Sequence, residues 1–217
     1  HFGFGPTIGI GNHEMVAASI IQYISMTEGV PVQDVTLYFV GSHALVMYGP
    51  PVPFFLKILL GDMDVTSKYD VNLLKWWCLL GKCWETGKGT NATYASTAAS
   101  AVKSIMAIIR DTNEYTHVVS PNGLIGGYPV RLSAKAAKVI LPKELTLKQA
   151  IKINEDGEKF DGVEKIKDDG TIVYTEKTYS IMKELGYDCK ELPFDELESR
   201  AEELKVLYKK LAALGAK

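Results

Sequence analysis

The sequence predicts an α+β (or α/β) fold: a twisted, mostly antiparallel sheet packed with long helices and followed by a helical C-terminal extension. Three observations point there. The 217 residues are 47% apolar and 10% aromatic, enough to bury a sizeable core and to exclude wholesale disorder. Helical stripes of period 3.6 alternate with short runs of β-branched and aromatic residues. Charge density divides the chain: residues 1–142 hold 10 basic and 9 acidic side chains, whereas 143–217 hold 14 and 17. The first stretch is expected to be a core-rich body (1–142) and the second a charged helical extension (143–217) packed on it.

Asn12 is a good N-cap for a helix running to about Glu28, with Val16, Ile20 and Ile24 on one face and Gly29 ending it. Asp34–Gly41 (DVTLYFVG) reads as a strand that delivers Ser42 and His43 to its C-terminal edge. Phe54–Leu60 and the turn GDMD suggest a second strand, with a helix near Val71–Leu80 after it. Ala92–Arg110 is a long helix whose apolar stripe runs Ala98, Val102, Ile105, Ile109. The loop SPNGLIGGYP leads into strands at Val130–Leu132 and Lys138–Leu141. The extension reads as helix Thr146–Asp156, strand Thr171–Tyr174, helix Glu176–Leu185 and helix Phe194–Leu214. In the last helix Leu197, Ala201, Leu204, Tyr208 and Leu211 make a narrow stripe, expected to pack on the body.

Twenty-four basic against 26 acidic residues give a net charge of −2, without the basic excess of a dedicated nucleic-acid binder. The longest apolar stretch, Pro50–Leu60, is broken by Lys57 and three prolines and is too short to cross a bilayer, so no membrane partner is expected. Cys78, Cys83 and Cys189 have no CxxC spacing, which suggests a reducing, cytoplasmic setting and no zinc knuckle. The chain opens at His1 on HFGFGPTIGIGNHE, which reads like the middle of a longer polypeptide.

The order of pieces carries the functional signal. A glycine-flanked turn opens a helix, a strand ends in Gly41-Ser42-His43, and a long small-residue-rich helix ends in Ile-Ile-Arg. A looping strand pair follows, and Pro-Lys-Glu-Leu-Thr starts a further helix. From about Ile8 to Ile151 this order resembles the C-terminal, substrate-binding half of the lactate/malate dehydrogenase and glycoside hydrolase family 4 superfamily. Val40-Gly41-Ser42-His43 looks like the Gly-x-His-Gly setting of the dehydrogenases' catalytic His. Asn122-Gly123-Leu124-Ile125-Gly126-Gly127-Tyr128-Pro129 is similar to the Asn-x-Gly-x-Ile-x-x-Leu-Pro loop of the family 4 glycosidases.

The resemblance implies NAD as cofactor, an N-terminal Rossmann domain that is absent here, and hydride-transfer chemistry. No Gly-x-Gly-x-x-Gly follows a strand, so NAD is expected to be bound mainly by a domain not present in this chain. His43 is the catalytic candidate, because an imidazole titrates near working pH and can exchange a proton with a substrate hydroxyl. Asn12 is expected to bind substrate or cofactor hydroxyls at the helix start, and Thr93 and Asn122 to contact substrate. Where the glycosidases carry Gly-x-Cys-Asn with a metal-binding Cys, this chain reads Gly9-Ile10-Gly11-Asn12, so a divalent metal loses a thiolate ligand and no metal site is assigned. His13 and Glu14 are the only nearby replacements.

His13–Tyr23 contains no arginine for a bidentate grip on a carboxylate, and the whole chain has only Arg110, Arg131 and Arg200. A sugar-like or polyhydroxylated small molecule therefore fits better than a 2-hydroxy acid. The expected function is the substrate-binding half of an NAD-dependent enzyme of glycosidase or dehydrogenase type, assembled as a homo-oligomer. The competing class is a non-enzymatic oligomerisation or binding module that kept the fold and lost the chemistry. His117 and the Trp76-Trp77 pair read as structural.

Overall fold

A computed structural model describes residues 6–49, 51–72 and 91–215. The chain divides into two compact units, His1–Gly157 and Glu158–Lys217. The fold is α+β.

In the first unit, helix α1 (Asn12–Glu28) precedes strand β1 (Val35–Gly41), a short helix α2 (Ala44–Tyr48), and strands β2 (Phe54–Leu60) and β3 (Met63–Asp64). Helix α3 (Asn91–Ile109), strands β4 (Glu114–Val119), β5 (Gly127–Leu132) and β6 (Ala137–Val139), and helix α4 (Leu147–Glu158) follow. The strand order is β3-β2-β1-β5-β4, with β6 also on β5. Every pairing among the described residues is antiparallel.

The sheet is two ribbons. β1 and β2 pair along their whole length, from Val35↔Leu60 to Gly41↔Phe54. β4 and β5 do the same, from Glu114↔Leu132 to Val119↔Gly127. The ribbons meet at one pair, Gly41↔Gly127. Beyond that joint they part, and the Tyr115 hydroxyl crosses the gap to donate to the Leu37 carbonyl at 2.7 Å.

Burial alternates as the sequence requires. Val35, Leu37 and Phe39 on one face of β1 meet Ala17, Ile20 and Ile24 of α1, together with Ile58 and Val52. Val40, on the other face, joins Val118, Tyr128, Val130, Leu132, Ala107 and Ala150 in a second cluster. Each fully buried Leu or Ile contributes roughly 1.5–3 kcal/mol over its exposed state.

Three expectations are corrected. The helix cap is Gly11, not Asn12: Gly11 sits at φ 105°, where a side chain is strained, and its N–H donates to Ser100 Oγ at 3.3 Å. The apolar stripe of α3 faces outward, with Val102 60%, Ile105 51% and Ile109 71% exposed, whereas Ser100, Ser104 and Ala107 are buried. Small and hydroxylated residues win that face because α3 approaches the start of α1 and supplies it with hydrogen bonds. Glu114–Val119 is a strand between the long helix and the glycine-rich loop, where none was expected; its run Tyr-Thr-His-Val-Val was the signal. In the compact unit that runs to Gly157, α4 buries Ala150, Asn154 and Gly157. The helix near Val71–Leu80 lies, after Asn72, outside the described residues, as do Trp76, Trp77, Cys78 and Cys83.

The second unit holds a three-stranded sheet, β7 (Val163–Ile166), β8 (Ile172–Tyr174) and β9 (Glu191–Leu192), in the order β7-β8-β9. Helix α5 (Glu176–Glu184) is capped by Thr175, whose Oγ1 accepts from the Thr178 N–H at 3.2 Å. Tyr187, Cys189 and Val173 are buried within this unit. Helix α6 (Leu197–Gly215) completes it. Within this unit its stripe Leu197, Ala201, Leu204, Tyr208 and Leu211 lies on the exposed side of the helix.

Two glycines separate steric from conformational cost. A Cβ on Gly127 would lie 2.2 Å from His13 Cγ and Nδ1, so Gly127→Ala must push the imidazole out of its site. A Cβ on Gly61 meets nothing within 4 Å, although φ is +57°. In urea unfolding Gly127→Ala is expected to cost at least about 3 kcal/mol, and Gly61→Ala about 1 kcal/mol. Equal losses would contradict this packing.

Candidate active site

The start of α1 meets the end of β1 and the middle of α3. α1 starts at Asn12; its cap Gly11 bonds to Ser100 of α3 and lies 3.4 Å, by its would-be Cβ, from Thr97 Cγ2. One residue on, His13 reaches β1: its Nε2 donates to the Phe39 carbonyl at 3.0 Å, and its ring stacks on Phe39 at 4.5 Å between centroids. β1 ends two residues later at Gly41. Ser42 is buried and His43 is exposed, as the residue that opens α2.

The expected site residues fall as follows. Asn12 is the first residue of α1, and Thr93 lies in the first turn of α3, the helix whose Thr97 and Ser100 face Gly11. His43 lies just past the β1 end that His13 grips. Asn122 sits at φ 55° in a turn after β4, where its side-chain amide donates to the Ala137 carbonyl at 2.9 Å and its N–H donates to Thr7 O at 2.9 Å. It ties the glycine-rich loop to β6.

Sequence reasoning missed the most developed polar network. Glu14, one helical step beyond His13, is buried against both α3 and β4. One carboxylate oxygen accepts from Ser100 Oγ; the other accepts from Thr116 Oγ1 at 3.0 Å and pairs with Lys103 Nζ at 2.8 Å. Lys103 also donates to Thr116 Oγ1 at 3.1 Å. The signal was Ser100 and Lys103 at i, i+3 on α3, masked by the more obvious apolar stripe. Beside this network a cleft of about 720 Å³ runs between α1, β1 and β4, with Glu14, Lys103, Tyr38, Tyr115, His117 and Arg131 among its walls. Arg131 stacks over the Tyr115 ring at 5.6 Å and donates to Asn113 O at 3.3 Å.

Burial, not charge, sets the two interior histidines. Desolvation pushes His13 down to about 4, partly opposed by the bond to Phe39. His117 is held well below the usual histidine range, first by burial and then by nearby His13 and Lys103. Both are therefore neutral at pH 7. His117 Nε2 is buried without a hydrogen-bond partner among the described residues. Burial also raises the Tyr115 hydroxyl above its ordinary value.

Among the described residues no group of three or more His, Cys, Asp or Glu is placed to hold a metal ion. His13 is committed to Phe39 and Glu14 to its hydroxyls and lysine, so neither replaces the missing thiolate. The described residues around α1 do not form a dinucleotide cradle. The pyrophosphate of a dinucleotide needs a parallel strand turning into a helix N-terminus. Among the described residues every strand pairing is antiparallel, and no parallel strand leads into the start of α1. No described helix is long and apolar enough to cross a membrane.

No protein-family model matches the chain, and no curated protein matches it by sequence. Solved structures do. An L-lactate dehydrogenase from Clostridium thermocellum aligns with a TM-score of 0.50 and 15% identity, over 71% of this chain and 54% of that one. A malate dehydrogenase from Aeropyrum pernix (TM-score 0.49, 19% identity) is covered to 53%, this chain to 71%. A malate dehydrogenase from Plasmodium falciparum in complex with NADH (TM-score 0.49, 15% identity) is covered to 54%, again with 71% of this chain. The chain thus spans about half the length of these neighbours. The likeness is one of fold: the chain carries a dehydrogenase-like fold over most of its length.

The depressed His13 predicts a pH dependence. The folded state binds fewer protons than the unfolded one between its pKa of about 4 and the ordinary value of 6.5, so stability is full above pH 6.5 and falls as pH drops through that window. The loss attributable to His13 approaches about 3 kcal/mol at the acid end. Urea midpoints from pH 7.5 to 4.5 should show it, and His13→Phe, which keeps the stack, should flatten the slope. An unchanged slope in His13→Phe would contradict the assignment.

Proposed function

We propose that this chain is the substrate-binding half of an NAD-dependent enzyme of dehydrogenase type, acting on a hydroxyl-bearing small molecule. The observation that carries the reading is that the α1 start, through Gly11 and His13, lies against both α3 and the last residues of β1, with His43 exposed just past that strand end. Sites in such folds form where elements end. NAD, in this reading, is held chiefly by residues of another domain, and the residues here act on the substrate side alone.

His43 accepts or returns the proton of the substrate hydroxyl, a task suited to an exposed imidazole. Asn12 and Thr93 bond to the remaining hydroxyls. A polyhydroxylated substrate suits this end better than a 2-hydroxy acid. Arg131 lines the cleft beside α1 but is turned to Tyr115 and Asn113. Arg200 pairs with Glu196 and Glu203 in the second unit. The competing reading, a binding module without chemistry, draws on the outward apolar stripe of α3, an unusual surface for a chain without a partner.

Titration of the amide-labelled chain with a polyol such as sorbitol, followed by NMR, tests the proposal. Amides 11–14, 41–44 and 91–94 should shift together, more with sorbitol than with malate, while calorimetry with NAD should detect no micromolar binding. Stronger shifts with malate, or shifts confined to other segments, would overturn the substrate assignment. Micromolar NAD affinity would overturn the division of labour.

A further inference from the structure

Helix α6 carries a surface that the rest of its unit does not use. Leu197, Leu204 and Leu211 recur every seven residues, and Ala201 and Tyr208 fall four after the first two. These are the two positions of a coiled-coil seam. All five are exposed: Leu197 and Leu211 at 40%, Leu204 at 46% and Tyr208 at 73% among them. The helix rests on its own unit through the neighbouring strip instead, where Leu207 Cδ1 comes within 3.7 Å of a Cβ built on Gly186.

The charges beside the seam say what covers it. On the flank away from Leu207 stand Glu198 and Glu202, then Lys205 and Lys209. At 100° per residue Glu198 and Lys205 stand about 80–100° from the seam's centre and flank it, while Glu202 and Lys209, at about 120–140°, form the row behind them. The order acid, acid, base, base is self-complementary only when a second helix runs the opposite way, because antiparallel pairing sets this flank against itself reversed. Glu198 then faces Lys205 of the other copy on both edges of the pair, with Glu202 and Lys209 adding the same complementary signs behind them. A parallel pair would set it against the flank that Leu207 and Arg200 already occupy. Within one chain Glu202 and Lys205 pair at 3.1 Å, but both are well exposed, and such a surface pair is worth little and open to exchange.

We propose that α6 pairs antiparallel with α6 of a second copy of this chain, making the second unit a dimerisation element. The seam buries the Leu197–Leu211 stripe, and the charged flank sets orientation and partner choice. The inference is independent of the substrate reading.

Sedimentation velocity on the full chain, from about 1 to 200 μM, is the test. A concentration-dependent dimer is expected. Leu204→Glu with Tyr208→Glu should weaken it at least about 100-fold with helix content by circular dichroism retained. Glu198→Lys with Glu202→Lys should weaken it about tenfold, and adding Lys205→Glu with Lys209→Glu should restore it. These last four positions are on the surface, so they serve even if the seam variant fails to fold. A monomer throughout the range overturns the proposal, as does a dimer indifferent to the seam substitutions. A charge swap that the second swap does not rescue overturns the antiparallel pairing.

Discussion

Two adjacent residues of one helix hold the first unit together. The sheet is made of two antiparallel ribbons that share a single Gly41↔Gly127 pair, which by itself is too little backbone bonding to fix their relation. α1 supplies the rest. His13 donates to Phe39 in one ribbon, and Glu14 accepts from Thr116 in the other. Helical geometry sends neighbouring side chains about 100° apart, so a helix laid across the gap can grip both sides in consecutive residues. The close approach this needs explains Gly127, against which the imidazole packs with no room for a side chain.

The same joint positions the candidate site. Because His13 grips β1 two residues before its end and Gly11 is bonded to Ser100 of α3, the α1 start and the β1 end, next to which Asn12 and His43 stand in sequence, are held by one set of contacts. The polar network around Glu14 stiffens that corner. A buried carboxylate stays tolerable only with its hydrogen bonds made, and Ser100, Thr116 and Lys103 make them. The network thereby fixes which face of α3 turns inward and leaves Val102, Ile105 and Ile109 outside.

Much of this was legible in the sequence, and the failures have physical causes. α1, β1 and β2 could be read almost to the residue, since each has a clean period and a glycine, or for β2 the GDMD turn, at its end. β4 was hidden because Glu114 and His117 interrupt its apolar pattern, and neither explains itself until Lys103 and the His13 ring lie beside it. The inward face of α3 was misread because apolar periodicity normally marks the core; here a polar partner across the interface outweighed it. His43 and Asn12 could be nominated from motif order, whereas the Glu14 network could not, since Glu14, Ser100 and Thr116 are brought together only by the fold. The stripe of α6 was visible as a stripe, but its exposure depends on which strip of the helix rests on Gly186.

Native-state amide hydrogen exchange tests the central claim, that the ribbons and the α1 start are one cooperative joint. Slowly exchanging amides in the second turn of α1, in Phe39–Gly41 and in Gly127–Val130 should open with a common free energy and a common denaturant dependence. Independent opening of the β1–β2 ribbon, with the β4–β5 ribbon still protected, would contradict it.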